Sequence, residues 1–143
     1  MEADRPFLGI CLGYQLLFAE SEESPGVAGL GWREGTVRRF PESVGIIPHM
    51  GWNRVEAGAG AGWLGPVFSG APYFYHVHSF FPDGLDEAEI ACMTGYNGLT
   101  FASGIRSGNV CAFQFHPEKS QDNGHRLLEA FVQQTAAAVP AGR

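Results

Sequence analysis

The alternation of apolar and polar stretches along the chain predicts a strand and a short helix at one end and a longer helix at the other. A short apolar run at residues 6–10 has the composition of a buried strand. The apolar residues that follow, and the glutamates up to the Ser-Pro-Gly breaker at 24–26, predict a helix that ends before this breaker. Near the other end, apolar residues at helical spacing predict an amphipathic helix over residues 121–138.

The middle of the chain is rich in β-branched and aromatic residues between glycine and proline breaks, which predicts strands of about five to eight residues. The predicted strands cover residues 36–40, 52–55, 73–80, 90–94, 99–105 and 110–115. The low-complexity segment at residues 57–62, AGAGAG, is predicted to be an exposed, mobile loop. A GxGxxG pattern begins inside this loop, but no apolar strand precedes it, so we predict no dinucleotide site. This order of elements indicates an α/β or α+β fold.

Composition narrows the class of protein. The 143 residues are 45% hydrophobic and 17% charged, which is the balance and size of one globular domain. Nine Lys and Arg against fifteen Asp and Glu give a net charge of −6, so the basic footprint of a nucleic-acid binder is missing. No apolar stretch approaches the roughly 18 residues that cross a bilayer, and no signal segment is apparent. We therefore expect a soluble, cytoplasmic protein with neither a nucleic-acid nor a membrane partner.

The cysteines and histidines do not form a recognisable metal or disulfide pattern. Three cysteines without a CxxC spacing predict neither a disulfide framework nor a structural zinc site. Cys92 and Cys111 lie in apolar strand-like runs and are expected to be packed thiols. His76 and His78 share a face of a predicted strand, but no third ligand of obvious spacing accompanies them. We therefore predict no metal.

The third cysteine lies in a pattern typical of a catalytic nucleophile. Residues 9–13, GICLG, have the G-x-nucleophile-x-G form of a nucleophile elbow, in which small flanking residues permit a sharp turn from strand to helix. Such a turn would place the Cys11 sulfur at a helix N-terminus, where the dipole and free amides favour the thiolate. The N–H of Leu12 would then point at a developing oxyanion. The same pattern also fits a buried cysteine in a glycine-bounded turn.

A possible base lies at the other end of the chain. The apolar strand at residues 110–115 ends in His116-Pro117-Glu118. A thiolate nucleophile needs a base that later protonates a leaving group, and that base needs an orienting partner. Residues i and i+2 of an extended segment face the same way, so Glu118 is placed to hold the imidazole of His116. The alternative is a histidine and a glutamate on an ordinary surface loop.

Together the two segments resemble the nucleophile and His-x-Glu motifs of class I glutamine amidotransferases, with GICLGYQ at residues 9–15 and QFHPE at residues 114–118. Three further stretches are similar to the HisH-type glutaminase subunits of imidazole glycerol phosphate synthase. These stretches are PHMGWN at 48–53, YHVHSF at 75–80 and HPEKSQ at 116–121. The resemblance runs from about residue 6 to residue 132.

The resemblance implies an α/β fold of the class I glutamine amidotransferase type, with a flavodoxin-like central sheet flanked by helices. It implies hydrolysis of glutamine to glutamate and ammonia without a metal or an organic cofactor. Cys11 would attack the side-chain amide, His116 would act as general acid and base, and Glu118 would orient His116. The Leu12 amide would support the oxyanion.

The resemblance also implies residues for substrate and partner. Gln15 and the backbone of His78, Ser79 and Phe80 would hold the α-amino and α-carboxylate groups of glutamine. The partner would be a HisF-like cyclase subunit, which receives the ammonia in a heterodimer that serves L-histidine biosynthesis. Lys119 and one predicted loop are expected to lie toward this partner. The residues of the loop are Pro48, His49, Met50, Gly51, Trp52 and Asn53.

The chain departs from the family pattern before the elbow. Family members have early sheet strands there and a glycine-rich turn that supplies a second oxyanion donor, so we expect residues 1–143 to be a partial domain that lacks its first strands. Losing one such donor typically lowers the rate by about 10²–10³-fold, and an uncovered sheet edge favours poor solubility. Two alternatives follow: a catalytically inactive module that only binds the partner, or an amidotransferase of another pathway, against which PHMGWN argues.

Overall fold

The computed structural model describes residues 5–138, which contain nine strands and two α-helices. The strands are β1 (Phe7–Ile10), β2 (Phe18–Ser21), β3 (Arg33–Arg39), β4 (His49–Ala57), β5 (Tyr73–His78), β6 (Phe80–Asp83), β7 (Ile90–Tyr96), β8 (Leu99–Ser107) and β9 (Val110–Phe113). The helices are α1 (Leu12–Gln15) and α2 (Gln121–Ala138), and 3₁₀ turns lie at Glu42–Val44, Gly62–Phe68, Glu87–Glu89 and Pro117–Lys119. The closing helix therefore spans the predicted residues.

The strands form two sheets. A six-stranded sheet has the order β1-β9-β8-β7-β4-β5, and a three-stranded sheet has the order β2-β3-β6. The α/β combination is confirmed, but within the described residues the larger sheet is parallel only between β1 and β9. The reason lies in the connections, because two-residue turns such as Asn97-Gly98, both at positive φ, join neighbouring strands only in antiparallel order.

The parallel pairing of β1 with β9 positions the end of each strand. Ile10 lies opposite Phe113 in this ladder, and the Cys11 N–H continues it by donating to the Phe113 carbonyl at 2.8 Å. Because both strands run in the same direction, their carboxyl ends meet at the same edge of the sheet. The residues that follow β1 and those that follow β9 are therefore neighbours.

The core occupies both faces of the six-stranded sheet, as alternation along β9 shows. Phe113 packs on the face covered by α2 and the 3₁₀ turn Gly62–Phe68, whereas Ala112 packs on the opposite face. Buried residues on the α2 face include Val55, Leu64, Phe68, Phe74, Phe115 and Leu127. The other face is filled by Tyr14, Leu17, Phe18, Val37, Ile105 and Val110. Each large buried side chain contributes about 1.5–3 kcal/mol.

The first predicted helix is much shorter than expected, and the glutamates after it lie in and after a strand. Helix α1 has only four residues, and β2 follows it and pairs with β3 in parallel. The chain turns because the carbonyl of Leu17 accepts from Trp32 N at 2.8 Å and that of Ala19 accepts from Gly29 N at 2.9 Å. A side chain at Gly29 would overlap the Phe18 carbonyl, so glycine permits this close approach.

The prediction of an exposed loop at residues 57–62 is confirmed only in part, since residues 58–61 lie outside helices and strands and Ala57, Ala59 and Gly62 are exposed, but Gly60 and Ala61 are buried. Gly58 N donates to the Ala91 carbonyl at 2.9 Å and Gly60 N donates to the Ile90 carbonyl at 2.8 Å, so this segment continues the ladder beside β7. Gly60 is buried, and Arg106 Nε donates to its carbonyl at 3.0 Å. A Cβ at Gly58 would overlap the Ile90 carbonyl, so the glycine content reflects close packing.

Two further boundaries differ from the sequence prediction. The segment at residues 48–53, predicted as a loop, is a strand from His49 onward, because His49 to Arg54 pair in register with β5. The strand predicted over residues 73–80 divides at Ser79 into β5 and β6, which belong to different sheets. No helix among the described residues has the length and apolar character needed to span a bilayer.

Helix α2 depends on its buried face, and Leu127 tests this. Leu127 is fully buried, whereas Val132 on the same helix is 61% exposed. We expect Leu127→Ala to lower the free energy of unfolding by about 2–5 kcal/mol and the matched control Val132→Ala to change it by less than about 0.5 kcal/mol. Urea denaturation measures both, and equal losses would contradict this assignment of the buried face.

Candidate active site

Cys11 lies at a strained turn between β1 and α1. Its φ of 51° and ψ of −100° are rare for a residue with a side chain. A Cβ at Gly9 would lie 2.8 Å from the Gly13 carbonyl oxygen, so the turn requires glycine there, whereas Gly13 has open space around it. The strand-turn-helix geometry of a nucleophile elbow is therefore present, with the steric requirement on the Gly9 side only.

The Cys11 thiol is half-buried, and two residues distant in sequence contact its sulfur. The Gln114 Nε2 amide donates to Sγ at 3.7 Å, and Sγ lies 3.9 Å from the carbonyl oxygen of Val77. Burial raises the pKa of the Cys11 thiol above its ordinary value, and the hydrogen bonds from Leu12 N–H and Gln114 only partly offset this effect. The Leu12 N–H thus favours the thiolate in the expected direction, but burial of the sulfur outweighs it and the thiol form is favoured.

His116 and Glu118 form a close pair. His116 Nδ1 lies 2.5 Å from Glu118 Oε1, so the ring and the carboxylate are in hydrogen-bonding contact. The backbone of His116 is held on both sides, since its N–H donates to the Tyr75 carbonyl at 2.9 Å and its carbonyl accepts from Ser120 Oγ at 2.6 Å. Pro117 opens a 3₁₀ turn that brings Glu118 back beside the ring. The imidazole thus has a fixed orientation.

The sheet brings Cys11 and His116 to one edge, because Cys11 directly follows β1 and His116 follows the adjacent parallel strand β9. Within residues 5–138, the hydrogen bonds of Sγ involve Gln114, Val77 and the backbone N–H of Leu12, and none joins it to His116. The negative charge of Glu118 nevertheless contributes to the raised pKa of Cys11, after burial. Catalytic hydrogen bonds are often long before substrate binds, so this arrangement is compatible with a nucleophile and its base.

Gln114 and Ser120 are site residues that motif reading did not single out. Gln114 is fully buried and connects the sulfur of Cys11 to Gln15, whose Nε2 donates to Gln114 Oε1 at 3.2 Å. Ser120 is buried and, besides its bond to the His116 carbonyl, accepts from Tyr75 N at 2.9 Å. The signal for Gln114 was a lone polar residue in an otherwise apolar strand.

The residues expected to bind glutamine lie beside Cys11 but are largely engaged within the protein. Gln15 Nε2 donates to the Phe80 carbonyl at 3.2 Å, and the Ser79 carbonyl accepts from Phe40 N at 3.0 Å. The ring of His78 turns inward and is only 6% exposed. The backbone of this segment adjoins the thiol through Val77, while the carbonyl groups of Ser79 and Phe80 already have partners.

Among the residues expected at a partner interface, Met50 and Trp52 are exposed and His49 is buried. Met50 and Trp52 point outward from β4 and are 63% and 45% exposed, and the Trp52 ring lies 6.1 Å from that of Tyr75. We call the outward side chains of these strands, Met50, Trp52, Tyr73 and Tyr75, the β4–β5 apolar face. By contrast, His49 points inward at 3% exposure.

The other four residues of that set differ in their surroundings. Asn53 is tied to the Gly95 carbonyl at 2.7 Å, and Pro48 is partly buried directly before β4. Gly51 adopts a φ of 126°, which favours glycine. Lys119 is exposed beside Glu118.

One group of potential metal ligands lies within the described residues. His49, His76 and His78 each offer a nitrogen within 4.8 Å of the other two, and all three are buried. The sequence lacked a third ligand for the two strand histidines because His49 joins them only through the pairing of β4 with β5.

Comparison with known proteins places the chain in a family. The family model of glutamine amidotransferase class-I matches residues 1–135. The chain is 45% identical to the imidazole glycerol phosphate synthase subunit HisH of Methylococcus capsulatus, over 91% of the chain and 63% of that relative. It is 44% identical to the HisH subunit of Chloroflexus aurantiacus, over 98% of the chain and 66% of the relative. With the chloroplastic imidazole glycerol phosphate synthase hisHF of Arabidopsis thaliana it shares 47% identity, over 92% of the chain and 22% of the relative. The chain thus spans just under two thirds of the length of these HisH subunits, and less of hisHF.

Solved structures agree on the fold. A putative GMP synthase component of Thermoplasma acidophilum superposes with a TM-score of 0.63 at 21% identity, over 94% of the chain and 59% of the other protein. A glutamine amidotransferase of Thermotoga maritima superposes with a TM-score of 0.58 at 20% identity, over 92% of the chain and 47% of the other protein. The chain belongs to the class-I glutamine amidotransferase family.

Proposed function

We propose that this chain hydrolyses glutamine to glutamate and ammonia with a Cys11-His116-Glu118 triad. The observation that carries the proposal is the cysteine on a strained elbow at the end of β1, with the His116–Glu118 pair at the same edge of the sheet. A nucleophile, a base and a group that orients the base are the parts that acyl transfer requires.

The first half-reaction forms a thioester. His116 takes the proton of the Cys11 thiol, and the resulting thiolate attacks the side-chain amide carbon of glutamine. Because Nδ1 of His116 is bound to Glu118, Nε2 is the nitrogen that exchanges protons. The Leu12 N–H donates to the developing oxyanion, and collapse of the intermediate releases ammonia after His116 returns the proton to the leaving nitrogen.

The second half-reaction frees the enzyme. His116 removes a proton from water, the hydroxide attacks the thioester carbon, and glutamate leaves as the Cys11 sulfur regains its proton. Glu118 stabilises the imidazolium that forms in each half-reaction. Backbone N–H groups of residues 78–80 donate to the α-carboxylate of glutamine, because the Ser79 and Phe80 carbonyls are engaged within the protein. The α-ammonium group needs an acceptor, and the side-chain oxygen of Gln15 supplies it.

Before substrate binds, the site rests in the thiol form. Burial raises the pKa of Cys11, and its sulfur bonds to Gln114 and Val77. Glutamine must displace one of these contacts before the sulfur reaches the imidazole. This suits a glutaminase whose ammonia is released only when a second subunit is ready to consume it.

We propose that the ammonia passes to a HisF-like cyclase subunit of imidazole glycerol phosphate synthase, in L-histidine biosynthesis and in the cytoplasm. The support is the likeness to HisH subunits over nearly the whole chain and to hisHF, whose name joins both activities. The β4–β5 apolar face is the proposed contact surface, because exposed aromatic and methionine side chains are enriched at interfaces. Exposed Lys119 lies toward this partner, and residues 1–143 form part of the amidotransferase domain.

The proposed activity predicts glutamate release from glutamine that depends on Cys11. We expect turnover by the chain when it is mixed with the liganded cyclase subunit, and none by Cys11→Ala. Glu118→Gln should lower kcat by up to about 10⁴-fold, because the imidazole loses its orienting charge. Glu129→Gln, an exposed glutamate on α2, is the matched control and should retain the activity.

The outcomes of this assay separate the alternatives. Binding of the cyclase subunit without any turnover would identify an inactive interaction module. Turnover without binding of that subunit would point to an amidotransferase of another pathway. Equal rates for Glu118→Gln and the wild type would remove Glu118 from the triad.

The raised pKa of the thiol predicts the pH dependence of alkylation. We expect the rate at which iodoacetamide modifies Cys11 to keep rising as the pH passes about 8.5, the ordinary pKa of a thiol, because only the thiolate reacts. Mass spectrometry over a pH series measures the rate, and Cys11→Ala gives the background from Cys92 and Cys111. A plateau below about pH 8 would instead indicate a preformed thiolate paired with imidazolium.

The proposed contact surface predicts a loss of partner affinity on truncation of Trp52. We expect Trp52→Ala to weaken binding of the cyclase subunit by about 2 kcal/mol, since a central aromatic anchor typically contributes that much. Val132→Ala removes an apolar side chain of α2 that is 61% exposed, against 45% for Trp52, and should leave the affinity unchanged. Calorimetric titration measures both, and similar affinities for the two variants would place the interface elsewhere.

A further inference from the structure

Three histidines lie together on the inner face of the β4–β5 pair. His76 and His78 alternate along β5 with Tyr75 and Val77, so their side chains point to the opposite side of the sheet from the β4–β5 apolar face. His49 lies directly opposite His78 in the ladder. The residues are 3%, 0% and 6% exposed for His49, His76 and His78, and one nitrogen of each lies within 4.8 Å of the others.

The hydrogen bonds of the rings determine which nitrogens carry protons. His78 Nδ1 lies 2.8 Å from the Phe80 carbonyl oxygen, so Nδ1 donates and Nε2 has a lone pair. His76 Nδ1 lies 3.2 Å from that Nε2. Asn53 Nδ2 donates to His49 Nε2 at 3.3 Å, so this nitrogen also has a lone pair. Among the described residues, these hydrogen bonds leave one nitrogen of His49 and one nitrogen of His76 without a partner.

Those two nitrogens are buried without a hydrogen-bond partner within residues 5–138. They are Nδ1 of His49 and Nε2 of His76. A buried polar atom without a partner has lost its hydrogen bonds to water and gained none in return, so two of them in one cluster require an explanation. The rings of His49 and His76 stack at 4.5 Å between centroids and 22° between planes, a geometry in which they cannot bond edge to edge.

We propose that His49, His76 and His78 bind a transition-metal ion of the zinc class. Nitrogen ligands of tetrahedral zinc lie about 3.4 Å apart, and His76 Nδ1 and His78 Nε2 are separated by 3.2 Å. The Phe80 carbonyl accepts a hydrogen bond from His78 Nδ1. A hydrogen bond of this kind, to the ring nitrogen that does not bind the metal, orients a metal-bound imidazole. An all-imidazole set favours zinc, cobalt, nickel or copper over magnesium or calcium.

Binding of an ion would change the ring arrangement of two cluster residues, His76 and His49. When metal occupies Nδ1 of His76, the proton of that ring moves to Nε2, and His49 rotates out of its stack to aim a lone pair at the ion.

The position of the cluster gives the metal a structural role. The ion would clamp β4 to β5, and the backbone of β5 carries the Tyr75 carbonyl that holds His116 and the Val77 carbonyl that contacts Cys11. The rings of Phe40 and Phe101 pack against the cluster and keep it apolar. The proposed site thus supports the catalytic edge from the opposite face of the same strand, and it does not depend on the reaction proposed above.

The test is a titration of the chelator-treated chain with Co²⁺, whose visible spectrum reports coordination. Cys11 is alkylated first to remove a competing thiolate. We expect one ion per chain, ligand-field bands of a four-coordinate site with three nitrogen ligands and one water, and a rise in Tm on binding. Competition with Zn²⁺ should remove the bands, since zinc binds such ligands more tightly.

His76→Phe is the variant that separates the cluster from other sites. We expect it to fold, because phenylalanine replaces a buried ring that has an unpartnered nitrogen, and to lose more affinity than the roughly 10- to 100-fold that removal of an outer partner costs. His125→Gln removes a histidine of α2 that lies outside the cluster, and this matched control should bind as the wild type does.

Two results would overturn the proposal. One is a wild-type chain that shows no stoichiometric Co²⁺ spectrum at micromolar metal, a measurement that does not depend on how any variant folds. The other is equal Co²⁺ affinity for His76→Phe and the wild type. His49→Asn is the second ligand variant, and retention of the spectrum in that variant would exclude His49 as a ligand.

Discussion

The parallel pairing of β1 with β9 is the constraint on which the site depends. Elsewhere in the described six-stranded sheet, neighbouring strands are antiparallel, so their ends lie at opposite edges. Only β1 and β9 finish side by side, and the chain places its cysteine after one and its histidine after the other. Residues more than a hundred positions apart thereby become neighbours through four backbone pairs, and the rest of the fold supports this edge.

The sequence was most informative where chemistry and local geometry coincide. The elbow around Cys11 and the turn that returns Glu118 to His116 are local, so spacing alone indicated them. The closing helix was predictable because its apolar period extends over several turns. The strand around Phe18 was not predictable. The Leu17 carbonyl accepts a hydrogen bond from Trp32 N, so it bonds to a distant segment and not within a helix.

Other features could not be predicted because they arise from long-range register. His49 joins His76 and His78 only when β4 lies beside β5, and nothing in the spacing of the three residues states that register. The AGAGAG segment has the composition of a flexible linker, yet its missing side chains let the backbone approach β7. The raised pKa of Cys11 likewise depends on how deeply the surrounding residues bury it. The composition of a segment limits the conformations it can adopt, and its contacts with distant segments determine which of these conformations forms.

The φ of 51° at Cys11 has an evolutionary consequence. A side chain in this conformation typically costs about 1–3 kcal/mol relative to glycine, so selection for folding alone would favour glycine at this position. The proposed nucleophile is thus among the residues least suited to their own backbone conformation. A stability-guided redesign that scored only the folded state would therefore discard this cysteine, and with it the nucleophile of the proposed reaction.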